Sequence, residues 1–312
     1  MHNQASTNPS IVLFGDGRDW HGRSLLRAFK RRGIAPLVAP LTNCGFSTET
    51  ATGLAIPGLG DHCPEGAFVR FVPGGSFEQV TLYLGVLHAL RELGVTVWND
   101  ARAIERCVDK STTTYFLQRA GLPTPRTFAT VDRNEAEDIV ATVVADGSKL
   151  VQKPLFGAQG KGLRLISSPA DLAPEDEVNG AYYLQDFVPP AQEHHQDWRI
   201  FVCAGRVVTA MIRHGASWIT NIKQGARAKA AIASHDLADL AVRAAASVGA
   251  DYAGVDIIQA QDGRFLVLEV NSMPAWNGLQ RVSRIRISDH VVDGFLDAAL
   301  PPARRRTDQG GA

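Results

Sequence analysis

The 312-residue chain predicts a mixed α/β (α+β) fold, and three observations carry that expectation. The first part of the chain alternates strand, helix and strand. Further on, a stretch runs strand, glycine loop, strand, where a nucleotide-binding turn would instead lead into a helix. Towards the C-terminus, continuously apolar strands are joined by short turns that make antiparallel hairpins.

In order, residues 11–14 (IVLF) read as a strand that runs into GDGRDWHG. A helix over 23–32 follows, with Leu25, Leu26 and Phe29 at helical spacing and Gly33 as its stop. Residues 35–39 read as a second strand, and the Gly-, Thr- and Pro-rich stretch 42–66 as a long loop. Residues 68–72 make another strand. Ser76 caps a helix that Gly94 ends, and 95–98 is a further strand that closes a first domain of residues 10–100. In ARAIERCVDKSTTTYFLQRAGLPTP two short helices fit, stopped by Gly121 and two prolines. Strands at 149–153 and 163–166 flank GAQGKG as a hairpin. Strands at 183–188 and 198–203 come next, and AGRVVTAMIRHG pairs back on the second of these through a turn at Ala204–Gly205. An alanine-rich helix around 236–248 leads to strands at 253–259 and 265–270, joined by a QDG turn. The expected division is 101–184 and 185–302 for the later domains, with disordered tails at 1–9 and 303–312.

Composition excludes several classes. Lysine plus arginine and aspartate plus glutamate both number 32, so net charge gives no reason to expect nucleic acid or an anionic membrane as partner. Cys44, Cys63, Cys107 and Cys203 stand far apart with no metal spacing, as isolated reduced thiols do. Residues 1–9 are polar and no apolar run can span a bilayer, so a soluble, cytoplasmic protein is expected. A homo-oligomer is left open.

Chemistry has three candidate locations. Gly15, Gly17 and Gly22 lie where a dinucleotide fingerprint would, but Trp20 replaces its third glycine and no acid follows the second strand. A tight turn at the edge of a cleft is the favoured reading. GAQGKG at 157–162 can cradle phosphate oxygens with backbone N–H groups, and Lys153 on the incoming strand can reach the same anion. No GK[ST] occurs, and a flexible hairpin turn of the same composition is an equal reading. Last, Asp256 on AGVDIIQ falls nearly opposite Glu269 on FLVLEVN, with Asn271 two residues on and facing the same way. A polar strand pair at a sheet edge is possible, but both strands are otherwise apolar, and buried carboxylates are costly unless a cation lies between them. Carboxylate and carboxamide oxygens suit Mg²⁺ or Mn²⁺.

Together DKSTTTYFLQRAGLPTPRT, LVQKPLFGAQGKGLRLI, YYLQDFV, DWRIFV, ITN and AGVDII…LEVNSMP resemble the ATP-grasp ligases, most closely the RimK-type branch of α-L-glutamate ligases. The resemblance spans residues 100–300. It implies an ATP-grasp fold preceded by a small Rossmann-like domain, and ATP-dependent joining of a carboxylate to an amine through an acyl phosphate, with ADP released. By position it implies that Lys110 and Lys153 contact the nucleotide phosphates. The loop Gly157, Ala158, Gln159, Gly160, Lys161 and Gly162 would close over them. Gln185, Asp186, Phe187 and Val188 would hold adenine, mostly through the backbone of Asp186 and Val188, and Asp197 would lie near the ribose. Asp256, Glu269 and Asn271 would bind two Mg²⁺ ions. Arg199, Arg213 and Asn221 would face the γ-phosphate and the acyl phosphate.

Residues 68–90 resemble a subgroup that glutamylates small cofactors, including tetrahydromethanopterin:glutamate ligases; WHGRS, Arg70 and the 74–79 loop would then help bind the acceptor. The substrates implied are ATP, an amino acid such as glutamate, and a small-molecule or peptide acceptor. The chain departs from the family at Ile219, where an arginine is usual, at Gln224, Gly225 and Ala226 in place of Arg-Gly-Gly, and at Ala275 in place of glycine. Those changes put the amino-acid substrate in doubt and motivate an alternative, a nucleotide-binding protein of regulatory or scaffold role without ligase turnover.

Overall fold

A computed structural model describes residues 10–157, 160–191 and 195–300. Both expected tails and the loop residues Ala158 and Gln159 lie outside the described residues. The chain forms two compact units. The first runs to Ile104 and includes Met273–Gln280 and the residues from Arg284 on; the second holds Glu105–Ser272 and Arg281–Ser283.

The first unit begins with β1 (Ile11–Phe14), α1 (Trp20–Lys30), β2 (Leu37–Ala39), β3 (Gly45–Phe46), β4 (Leu54–Ala55), β5 (Gly66–Val69), α2 (Phe77–Glu92) and β6 (Thr96–Trp98), before α3 (Ala101–Val108). β2, β1, β5 and β6 form a parallel sheet in that order. α1 starts at Trp20, three residues before the sequence reading, because the Asp19 carboxylate caps it by accepting from the Gly22 N–H at 2.6 Å. At Gly22 a Cβ would stand 2.7 Å from Gly17 Cα, so close backbone approach explains these glycines without a dinucleotide. Ser76 caps α2 in a full capping box with Gln79. The stretch read as a long loop holds a 3₁₀ turn, Leu41–Asn43, and the β3–β4 pair.

The second unit continues with α4 (Lys110–Arg119), β7 (Thr127–Thr130), α5 (Arg133–Ala145), β8 (Leu150–Lys153), β9 (Arg164–Ile166), β10 (Tyr182–Asp186), β11 (His195–Cys203), β12 (Arg206–Gly215), β13 (Arg227–Ala231), α6 (His235–Val248), β14 (Tyr252–Gln259) and β15 (Phe265–Asn271). Two antiparallel sheets result, ordered β7-β10-β8-β9 and β13-β12-β11-β14-β15. The glycine loop joins β8 to β9 as a hairpin, with Leu150 opposite Ile166. α6 buries Leu237, Leu240, Ala241, Ala244, Ala245 and Val248, one helical stripe, in a core with Ile200, Val202, Val255, Ile257, Val267 and Val270 from the five-stranded sheet. α7 (Asn277–Val282) and α8 (Ile287–Ala299) end the described chain. α8 joins the first unit, where Phe295 packs edge-on against Phe29, Phe68 and Trp98.

Candidate active site

A face of a sheet is decided by residue parity. Because Ile200, Val202, Val255 and Ile257 face the α6 core, their neighbours Arg199, Asp256 and the residues in register with them face the other way. β15 would break that order. Val267 pairs with Ile257 in the core, and strict alternation would send Glu269 there as well. A β-bulge inserts Leu268, so Glu269 instead pairs with Asp256 on the opposite face. Pro123 and Thr124 occupy the ladder at that point: the Val267 N–H donates to the Pro123 carbonyl at 2.8 Å, and Thr124 Oγ1 donates to the Val267 carbonyl at 2.9 Å.

On this face, charges are matched. Arg199 grips the Asp256 carboxylate with Nε and Nη2, the latter at 2.7 Å. Arg213 grips Asp197 with Nε at 2.7 Å and with Nη2, which also reaches Asp256 at 3.1 Å. Thr220 Oγ1 donates to Asp197 at 2.7 Å. Asp197, Arg213 and Asp256 are each 4% exposed. Burial would raise the Asp256 carboxyl, but Arg199 and then Arg213 overcome it and hold it below the usual carboxylate range. Asp197 shares Arg213 with Asp256, and burial pushes its carboxyl up.

That network corrects one step of the sequence argument. The cost of burying Asp256 does not call for a metal, because two guanidinium groups already compensate it. Glu269 is different: its carboxylate accepts no hydrogen bond and forms no ion pair among the described residues, while it lines the same cleft. Asn271 donates to the Gly254 carbonyl at 3.4 Å and keeps its Oδ1 free of any partner among them.

The four-stranded sheet and α4 supply cations. Lys153 Nζ donates to Gln185 Oε1 at 2.5 Å, and Lys110 Nζ donates to the Gly157 carbonyl at 2.9 Å. Burial, partly offset by Glu269, brings the Lys153 ammonium down to about 8 and lowers Lys110 as well. Gln185 is fixed further by donating to Thr127 Oγ1 and the Tyr183 hydroxyl. The Asp186 N–H donates to the Arg126 carbonyl, and the Phe187 N–H to that of Lys149.

These groups share one cleft of about 1010 Å³, its open mouth included. Of the residues singled out from sequence, Lys110, Lys153, Gly157, Gly160, Lys161, Gln185, Asp186, Phe187, Val188, Asp197, Arg213, Asn221, Asp256 and Glu269 line it. Arg199 stands behind Asp256, Gly162 lies against Pro154, and Asn271 lies beyond the pair; none of the three is on the lining. Gly160 has φ +70°, and a Cβ there would fall 2.4 Å from Asn221 Oδ1, so the glycine turn rests on the Asn221 side chain.

A model of the RimK-like ATP-grasp domain matches residues 107–295. The chain is a RimK-like ATP-grasp ligase. Members of this family form C–N bonds with release of ADP. The tetrahydromethanopterin:alpha-L-glutamate ligase of Methanocaldococcus jannaschii is 34% identical over 210 residues, 65% of this ligase and 70% of that protein. The corresponding protein of Methanosarcina acetivorans is 29% identical over 320 residues, 90% and 97% of the two chains. Among solved structures, the ATP-grasp ligase PsnB complexed with a phosphomimetic variant of minimal precursor, Mg and ADP superposes with a TM-score of 0.72 at 24% identity, covering 94% of this ligase and 99% of PsnB. At that identity the likeness speaks for the fold.

Sequence reading missed part of this ligase's cleft. Val151, Leu163, Ile258 and Leu268 give it apolar walls, and Trp218 stands edge-on to Phe187 at 6.1 Å between ring centroids. Val151 and Ile258 follow from parity with Lys153 and Asp256. Trp218 lies in an aperiodic segment that gives no such signal.

Proposed function

We propose that this ligase uses ATP and Mg²⁺ to activate a carboxylate as an acyl phosphate and passes it to an amine, adding L-glutamate to a small-molecule acceptor of the tetrahydromethanopterin type. What carries the reading is the convergence of two lysines, a glycine turn and the unpartnered Glu269 in one cleft. The glutamate and the pterin rest on the names of the relatives.

Lys110 and Lys153 take the polyphosphate charge, with backbone N–H groups of the glycine turn as a cradle. Apolar walls at Val151, Leu163, Ile258 and Leu268 suit a purine ring. With the Asp186 N–H engaged by Arg126, the Asp186 carbonyl and the Val188 N–H are the groups for its edge. The donor set fits Mg²⁺: Glu269 and Asn271 Oδ1 are ready oxygens, and Asp256, with three guanidinium contacts, keeps one lone-pair site. Bound there, Mg²⁺ would neutralise charge on the phosphoryl group being transferred. Arg199 and Arg213 keep Asp256 anionic and aimed. Asn221, beneath the glycine turn, is placed to follow its closure.

The test is ADP release from purified protein given ATP, Mg²⁺, L-glutamate and a reduced pterin carrying a carboxylate side chain, with mass spectrometry of the product. Gain of one or more glutamyl residues is expected, and EDTA stops it. No ADP beyond the ATP-only background, across amino acids and acceptors, would reject the reading.

A further inference from the structure

Asp197 lines the cleft, yet its carboxylate is taken by the chain itself: Arg213 Nε and Nη2 and Thr220 Oγ1 all donate to it. A carboxylate with three of its four lone-pair sites filled has little left for a ligand. What it does instead is hold one guanidinium in a bidentate grip, the geometry that fixes an arginine in both position and plane. Arg213 Nη1 is left without a partner among the described residues and is not sealed from solvent. Because Arg213 lines the cleft, that nitrogen is the donor it can offer there.

Thr220 holds two things at once. Through its hydroxyl it fixes Asp197, and through the chain it carries Asn221, on which the glycine turn rests. Arg213 has a second partner in Asp256, but Asp256 is also a candidate metal ligand. When that carboxylate is shared with a cation, Asp197 is what keeps Arg213 in place. We propose that Thr220 is a positioning residue that acts through Asp197 to aim Arg213 at the terminal phosphate of the bound nucleotide. This rests on the nucleotide reading given above.

The test compares Mg·ADP with Mg·AMPPNP binding by calorimetry in wild type, Thr220→Val and Thr220→Ser. Valine keeps the shape and removes the hydroxyl; serine keeps the hydroxyl. In Thr220→Val, affinity for Mg·ADP stays within about twofold while that for Mg·AMPPNP falls about tenfold, and Thr220→Ser restores it. Circular dichroism confirms that each variant is folded. Equal loss for both nucleotides in Thr220→Val would mark a merely structural hydroxyl and overturn the proposal. So would wild-type binding of both, or serine behaving as valine does. A wild-type protein that binds neither nucleotide would reject the nucleotide reading itself, and the proposal with it.

Discussion

The two sheets of the second unit bring opposite charge economies to one cleft. The five-stranded sheet arrives balanced, with Asp197 and Asp256 matched to Arg213 and Arg199. The four-stranded sheet and the helix before it arrive unbalanced, since among the described residues Lys153 and Lys110 have only a carboxamide and backbone carbonyls as partners. Buried charge that is already paired has its desolvation cost compensated within the protein; part-buried charge without a counterion is a cost that a ligand of opposite sign removes. Phosphate is therefore expected on the lysine side. Glu269 is the exception on the balanced sheet, a carboxylate without an arginine among the described residues, and it is the one that both lysines feel.

The sharpest way to break this contrast is to neutralise the two opposed carboxylates separately. Glu269→Gln should lower turnover roughly 100-fold or more while the melting temperature holds, because no protein hydrogen bond is lost. Asp256→Asn should lose turnover and also about 3–5 kcal/mol of stability, because the buried Arg213 and the part-buried Arg199 are left undercompensated. Urea denaturation of the two variants decides it; equal destabilisation would show that Glu269 has a partner after all.

A smaller effect is expected at Lys153. Its ammonium titrates near 8 in the folded protein against an ordinary 10.5, so the cost of holding it charged is full below pH 8 and disappears as pH rises to 10.5. Lys153→Met should thus be more stable than wild type at pH 7, yet bind Mg·ATP about 10–100-fold more weakly. In wild type, nucleotide affinity should fall as pH rises past 8 and binding should take up protons there, a calorimetric signature missing from the methionine variant. A methionine variant that is less stable at pH 7 would show that Lys153 is held by more than Gln185.

Much of the fold and of this site was legible because its logic is local. Ser76, the QDG turn and the glycine hairpin each announce themselves within a few residues. The pairing of Asp256 with Glu269 was legible only approximately: counting outward from Gln259 opposite Phe265 puts Asp256 opposite Leu268, and the bulge supplies the missing residue. The arginine partners of Asp256 were not legible, since β11 reaches β14 across 57 residues and nothing in either strand announces its neighbour. β13, RAKAA with an exposed face, carries almost no strand propensity. α5 went unread in the sequence, although Asp132 as its cap and Ala136, Val140 and Val143 on one stripe announce it.

The mildest prediction moves the contrast to the first unit, where a histidine is held part-buried and uncharged. The Trp276 backbone N–H donates to His21 Nε2 at 3.0 Å, which leaves the ring proton on Nδ1, 3.3 Å from the Asp19 carboxylate. Trp276 packs edge-on to this imidazole and lies beneath Arg70, 5.0 Å from guanidinium carbon to ring. Burial, and then Arg70, bring His21 down to about 4 from 6.5, against the pull of Asp19. Because the folded value is the lower one, the stability this arrangement contributes is complete above pH 6.5 and is lost as pH falls towards 4. Protonation would set a second N–H against the Trp276 N–H. His21→Gln keeps an acceptor for Trp276 without that titration, so its urea-unfolding free energy should vary less between pH 6.5 and 4 than that of wild type. Parallel curves for the two proteins would mean that acid acts elsewhere, at carboxylates rather than at this imidazole.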